Sequence, residues 1–334
     1  MIENSLINNR VKINHKIPPN QLMRFLLKNT AVTITINGVS YDRKTNEFGN
    51  TSLGLGLDSG VYEVITNCSD YSVESTVTIR STIIANDFTK IFRNGTQYLA
   101  TFTDAEGNLL KEGNTLFNIN GVPYSRVINN AGVAKLNINL LPGKYIITAT
   151  NPVTDEKHFN MITVLPSIDE NNNITKYYRN GTQYSVRILD DNGNPIGAGV
   201  TVKFNINGVY YDRTTNASSY AKLNINLGAG TYIISATYNG LTVSNIITVL
   251  STLIGNNMTM KYLDGSKFEV KLVDKQGNII AGQSVNFNIN GRFYDRTTDA
   301  NGYARLNIKL PGGEYIITSK YEDSVISNTI TIYP

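Results

Sequence analysis

Three lysine–asparagine pairs have the residue types and spacing to form a new covalent bond in this sequence. Asn160, Asn245 and Asn328 each open a strand-like apolar run late in an internal repeat. They share the parity of the core positions that follow: Asn245 that of Ile247 and Val249, Asn328 that of Ile330 and Ile332. Lys90, Lys176 and Lys261 sit in the opening run of the same repeats, with Phe88 and Phe92, or Ile174 and Tyr178, on matching parity. Side chains alternate between the two faces of a strand, so both sets are expected to face one interior. There a lysine amine can attack the asparagine carboxamide, forming an isopeptide bond and releasing ammonia, if a buried acid shuttles the proton. No acid keeps step with the repeat. Asp104, Asp190 and Asp274 lie about six residues, roughly 20 Å, along the next strand from the lysine. Asp212 and Asp295 give way to Ser125 in one copy, and the first copy carries Ser75 in place of the asparagine. The competing reading is a buried asparagine bonded to backbone groups and a lysine whose amine reaches solvent.

Other chemistry finds less support. The two histidines, His15 and His158, fall outside the repeated motifs and form no Ser/His/Asp, Cys/His or metal-ligand spacing, so no catalytic residue, cofactor or metal site is expected. The Asp-x-x-Gly-Asn segments, densest at Asp190-Asp191-Asn192, offer oxygen ligands, but calcium wants six to eight of them. Other copies place Ala105 or Lys275 in the second position, which points to turns in which the aspartate bonds its own backbone. Sequons begin at Asn50, Asn67, Asn94, Asn173, Asn180, Asn216 and Asn257; of these Asn94, Asn180 and Asn257 are candidate glycan acceptors if the chain is exported. The single cysteine, Cys68, excludes an internal disulfide framework. A net charge of +4 over 334 residues, with no basic run interleaved with aromatics, argues against a nucleic-acid partner. No apolar stretch is long enough to span a bilayer. Met1 to Ser5 do not open a signal peptide, and the chain is read as a piece of a longer secreted protein.

The elements that would position these side chains come from internal repetition. Thr35-Ile36-Asn37-Gly38 returns as Asn118-Ile119-Asn120-Gly121, Asn205-Ile206-Asn207-Gly208 and Asn288-Ile289-Asn290-Gly291, at intervals of 83, 87 and 83 residues. A Tyr-x-Arg follows each time (Tyr41/Arg43, Tyr124/Arg126, Tyr211/Arg213, Tyr294/Arg296), and later a Gly-x-Tyr (Tyr62, Tyr145, Tyr232, Tyr315). The period is too long for a solenoid unit and suits one small domain per copy. Within each copy apolar residues alternate with polar ones, as in Val285, Phe287 and Ile289 against Asn286, Asn288 and Asn290, which is the pattern of a strand with one buried face. Asn94-Gly95, Asn180-Gly181 and Asp264-Gly265 are expected to be hairpin turns. The tyrosines are expected to complete the core with their hydroxyls bonded at its rim; the second reading, a sugar-binding face lined by the repeated tyrosines, is weakened by their place on strands within each repeat and not on a shared loop.

The fold expected is all-β: tandem Ig-like β-sandwich domains of about seven strands each in an elongated rod. The domains are placed at residues 1–83, 84–167, 168–252 and 253–334, the first degenerate because the Asn-Gly of its opening segment is lost. Nearly absent linkers and roughly 40 Å per sandwich give a rod on the order of 150 Å.

The phrase from Lys176-Tyr177-Tyr178-Arg179-Asn180-Gly181-Thr182-Gln183-Tyr184 through Tyr232-Ile233-Ile234 resembles the Ig-like repeats of adhesin-like proteins of methanogenic archaea and, more distantly, bacterial Ig-like domains of the invasin/intimin type. The resemblance covers residues 85–334 well and 30–84 moderately. It implies a non-enzymatic stalk or adhesion module at the cell surface, meeting a glycan or a cell-surface protein. The alternative is a carbohydrate-binding accessory region of a secreted hydrolase; a phage tail or spike array ranks third.

Overall fold

The computed structural model describes the backbone of residues 2–7, 10–15 and 28–334, with side chains from residue 28 onward except Leu55. Every described regular element is a strand. The chain divides into two compact units, Met1–Leu165 and Pro166–Pro334.

In the second unit, strands Ile168–Asp169, Gln183–Ile188 and Tyr220–Asn224 make a three-stranded sheet. Ile174–Tyr177, Leu241–Leu250, Gly230–Tyr238, Thr201–Ile206 and Val209–Thr214 make a five-stranded one, in that spatial order. The same pair of sheets recurs with Leu253–Gly255, Lys267–Leu272 and Tyr303–Asn307, and with Met258–Lys261, Ser324–Tyr333, Gly313–Tyr321, Ser284–Ile289 and Arg292–Thr297. Three-on-five strands with a parallel first–last pair is the Ig-like arrangement. Each such copy holds eight strands where about seven were expected, because the opening strand is broken in two. Its first piece joins the small sheet. Its second crosses over and runs parallel to the last strand, with Thr175 opposite Thr248 and Thr259 opposite Thr331.

The alternating residues fill the space between the sheets. Phe268, Val270, Leu272, Val285, Phe287, Leu306, Ile317 and Ile330 are buried in one cluster. An edge-to-face ring pair marks the centre of each copy, Tyr184 on Phe204 at 5.8 Å and Phe268 on Phe287 at 5.9 Å.

In the first unit, residues 83–165 repeat this plan. Ile83–Ala85, Gln97–Phe102 and Val133–Asn137 form the small sheet; Val122–Val127, Asn114–Ile119, Gly143–Thr150, Lys157–Leu165 and Phe88–Ile91 form the large one. The described residues of 2–79 depart from it. Val39–Lys44, Ala31–Ile36, Gly60–Cys68 and Tyr71–Ile79 make a sheet of four strands, and Ile2–Ile7, Arg10–His15 and Thr51–Leu55 one of three.

The expectation about hairpins is corrected. Phe88–Ile91 and Gln97–Phe102 belong to different sheets, so Asn94-Gly95, and likewise Asn180-Gly181 and Asp264-Gly265, carry the chain from one sheet to the other. The tight hairpins lie instead at the Asn-Gly of the recurring phrase. Asn120 (φ 52°) and Gly121 (φ 83°), like Asn207 (φ 54°) and Gly208 (φ 78°), both have positive φ, the requirement of a type I′ turn.

Candidate functional site

Asn160 lies in the core with its side-chain oxygen accepting the Tyr98 hydroxyl at 2.7 Å, and Asn245 accepts that of Tyr184 at 2.6 Å. Their amide nitrogens donate to Asp87 Oδ1 at 3.4 Å and to the Asn171 carbonyl at 3.2 Å. Burial pushes the phenol of Tyr184 up to about 12, and that of Tyr98 also rises, by burial first and then by the charge of Asp87. The third copy of this arrangement is incomplete. Asn328 donates to the Gly255 carbonyl at 3.1 Å, but its Oδ1 is buried with no hydrogen-bond partner, because Phe268 stands where Tyr98 and Tyr184 stand.

The lysines are held elsewhere. Lys90 is buried opposite Val164, and Lys176 opposite Val249, four positions along the last strand from Asn160 and Asn245. Four residues of strand span roughly 13 Å. Lys90 Nζ donates to the carbonyls of Thr96 (3.2 Å), Ile138 (3.1 Å) and Asn94, and Lys176 Nζ to those of Thr182 (3.1 Å) and Ile225 (2.9 Å). Burial lowers the pKa of Lys176. Each ammonium thus ties the crossover between the sheets to a strand end. The position equivalent to these lysines in the last copy is Met260, opposite Ile332; Lys261 is shifted by one and exposed, so the pairing of Lys261 with Asn328 rests on a misaligned register. The structure brings none of the three lysines to its asparagine.

The candidate glycan acceptors are engaged to different degrees. Asn94 and Asn180 accept the backbone N–H and the hydroxyl of Thr96 and Thr182, which fixes the crossover turn. Asn180 Nδ2 also donates to the Lys275 carbonyl at 2.7 Å. Asn257 is exposed, and its Oδ1 accepts the N–H of Thr329 at 2.9 Å. Asp87 and Asn173 do the same for Met161 and Ile246, both at 2.8 Å. The acidic turns are likewise occupied by their own backbone. Asp104 accepts the N–H groups of Glu106 and Asn108, and Asp274 those of Gln276 and Asn278; bonds from the Asn108 and Asn278 side chains lead in holding both carboxyls below their usual range. Among the described residues no group of three or more His, Cys, Asp or Glu is placed to hold a metal ion.

The repeated tyrosine and arginine motifs acquire roles. Tyr62, Tyr145, Tyr232 and Tyr315 each donate to the carbonyl four residues upstream (Asp58, Leu141, Gly228, Pro311) at 2.7–2.9 Å, the tyrosine corner of Ig-like sandwiches. The glycine two positions before leaves room for this corner: a Cβ on Gly230 (φ +154°) would sit 3.2 Å from the Tyr232 hydroxyl, a tight contact. Arg43, Arg126, Arg213 and Arg296 each donate Nη1 to the carbonyl of the preceding residue at 2.7–2.8 Å, and the last three also lie over Tyr124, Tyr211 and Tyr294. All four stand on the strand that ends its sheet.

Sequence reasoning missed the polar cluster around Glu156. Its carboxylate accepts the Thr82 N–H and hydroxyl at 2.6 Å each and the Ser59 hydroxyl at 2.8 Å. Asn151, fully buried, donates to the Thr82 and Thr103 carbonyls. The available signal was length: residues 151–156 replace the two-residue turn Asn239-Gly240 of the following copy.

No family model matches the chain, and no curated protein does. Among solved structures, the chain is similar to a tandem from titin (15% identity, 75% of this chain and 98% of that one, TM-score 0.31). It is also similar to invasin, a bacterial integrin-binding protein (15%, 99% and 79%, TM-score 0.23), and to a Ca2+-stabilised adhesin with which an Antarctic bacterium binds ice (16%, 97% and 94%, TM-score 0.19).

Proposed function

We propose that this protein is a non-enzymatic adhesion or stalk module of a cell surface, whose repeats, at residues 1–83, 84–167, 168–252 and 253–334, each act as one domain. One observation carries the reading: the polar residues that recur from copy to copy serve the scaffold itself. The Gly-x-Tyr tyrosines form corners, the Tyr-x-Arg arginines cap a strand edge, and the aspartates and asparagines of the turns bond their own backbone. The outer face of the large sheet is constant in part and variable in part. Ile146, Ile233 and Ile316 recur, each more than half exposed, but they oppose Met161, Ile246 and Thr329, and the exposed Phe159 stands where Ser244 and Ser327 do in the other copies. A constant frame under a partly variable face suits contact with a partner surface, a glycan or a cell-surface protein, in an extracellular setting. Membership among archaeal surface adhesins is the finer form of the same proposal. Beads carrying the chain, passed over polysaccharide-coated and cell-coated surfaces under flow, test it. Retention that weakens when Ile146, Phe159 and Met161 are changed to serine is expected. Retention no better than that of uncoated beads on every surface would sink the reading.

A further inference from the structure

In the three eight-stranded copies the last strand of the large sheet is covered along one side by the parallel second piece of the opening strand: Phe88–Ile91, Ile174–Tyr177 or Met258–Lys261. The backbone groups it meets are set by register. The carbonyls of Leu165, Leu250 and Tyr333 accept from Phe92, Tyr178 and Tyr262, while the N–H groups of Met161, Ile246 and Thr329 are taken by the side chains of Asp87, Asn173 and Asn257. Among the described residues of 2–79 no strand covers this edge. Ile7 pairs with Arg10, so two residues lie between the first two strands, against the eleven that separate Ala85 from Gln97. The four-stranded sheet accordingly ends at Tyr71–Ile79. Pairing Tyr62 with Val77, as Tyr145 pairs with Ile162, makes Thr76, Thr78 and Arg80 the equivalents of Met161, Thr163 and Leu165. Their outward N–H and C=O groups form an open edge. The burial follows: Thr78 is exposed where Thr163, Thr248 and Thr331 are half-buried, and Ile79 is half-buried where Val164, Val249 and Ile332 are buried.

The opposite edge of the same sheet is treated differently. In a two-residue hairpin the residues flanking the turn bond each other, so on Val39–Lys44 the carbonyl of Asp42 points away from the sheet. Arg43 caps it, as its counterparts cap the same edge in every copy. The chain therefore guards one edge four times, covers four residues of the other edge in three copies, and among the described residues leaves their equivalents, Val77 to Arg80, uncovered once. An open edge of this kind is a template for strand addition.

We propose that Tyr71–Ile79 accepts a β-strand in trans, a parallel segment donated by a different protein rather than by a second copy of this chain. Its chemistry is fixed by the three strands that fill the equivalent slot in cis: Asp or Asn, then an apolar residue, Thr, and Lys or Met, as in Asp87-Phe88-Thr89-Lys90 and Asn257-Met258-Thr259-Met260. The first residue takes the N–H of Thr76, the threonine lies beside Thr78, and the long fourth side chain enters the space between the sheets. This interface is independent of the surface proposed above for the outer faces.

The test titrates the full chain with an end-capped synthetic peptide of the sequence Asn86–Phe92, following binding by fluorescence anisotropy and amide exchange at Thr76 and Thr78. Saturable binding is expected, with exchange at both amides slowed by about tenfold or more. The Thr78→Pro variant removes an outward N–H that no strand within the sheet uses, a change edge strands tolerate. It should unfold at the same temperature as the parent and lose the binding. Absence of saturation, equal binding of the reversed-sequence peptide, or amides at Thr76 and Thr78 already as protected as Met161 and Thr163 without peptide would each overturn the proposal. So would a chain dimer that Thr78→Pro dissolves, which would make a second copy the occupant.

Discussion

Asn245 accepts a hydrogen bond from the Tyr184 hydroxyl at 2.6 Å, and the corresponding Asn328, in the copy where Phe268 takes the place of that tyrosine, has a buried oxygen that nothing satisfies. An unmet buried acceptor keeps the whole cost of its desolvation, on the order of 1–3 kcal/mol. Phe268→Tyr supplies the missing donor in a place where two other copies already hold a tyrosine. Chemical denaturation should show the last copy stabilised by about 1 kcal/mol. The reverse change, Tyr184→Phe, should destabilise its own copy by a similar or larger amount. Phe268→Tyr leaving stability unchanged or reduced would show that the hydroxyl cannot reach the amide.

The same pair predicts a pH dependence. Tyr184 is held protonated up to about 12 by burial, whereas the unfolded chain loses that proton at the ordinary tyrosine value near 10. Between these values the folded state binds the extra proton, so the contribution is complete below pH 10 and drains away as pH rises through 12. Unfolding free energy measured across that interval should fall less steeply in Tyr184→Phe than in the parent. Parallel slopes would contradict the assignment.

Much of the fold could be read from residue alternation and repetition, since burying one face of each strand fixes both pattern and layer. What escaped came from tertiary register. Asn94-Gly95 has the composition of a hairpin turn, yet the strands on either side pair with different neighbours, and local sequence carries no mark of that choice. Lys261 falls one residue from the buried position that Met260 fills, and in a strand a one-residue slip exchanges the two faces. Parity correctly put Asn160 and Lys90 toward the interior, but parity says nothing of distance along the strand, and the four-residue offset separates them. The Tyr-x-Arg motif was visible as a repeat. Its arginine role depends on knowing which strand ends the sheet.

That role makes a prediction about association. Arg126, Arg213 and Arg296 fill the outward carbonyls of Ser125, Asp212 and Asp295, which would otherwise be free to pair with another strand. Replacing the three by alanine removes exposed caps and should cost each copy well under about 1 kcal/mol, as surface changes do. The expected effect is on self-association: sedimentation velocity should show the parent unchanged over a range of concentration and the triple variant shifting to larger species. Lysine at the three positions, which keeps the charge but not the planar fork, should restore only part of the protection.

Glu156 offers a last test, in the first unit. Burial pushes its carboxyl up, but hydrogen bonds from Thr82, Ser81 and Ser59 outweigh that and hold it below its usual range. A carboxylate with a depressed folded pKa stabilises the fold above the unfolded value and loses that contribution as pH falls through the folded one. The groups that depend on it, the Thr82 N–H and hydroxyl, lie at the start of the copy and within reach of the Asn151 amide. Glu156→Gln keeps the shape and halves the accepting capacity, so it should cost about 1 kcal/mol near neutral pH and flatten the acid limb of the stability curve. Amide exchange at Thr82 gives the local readout. It should accelerate in the variant at pH 7, and in the parent only once the pH drops below the ordinary glutamate range. An exchange rate at Thr82 indifferent to both the substitution and the acid would mean that the N–H is protected by something other than this carboxylate.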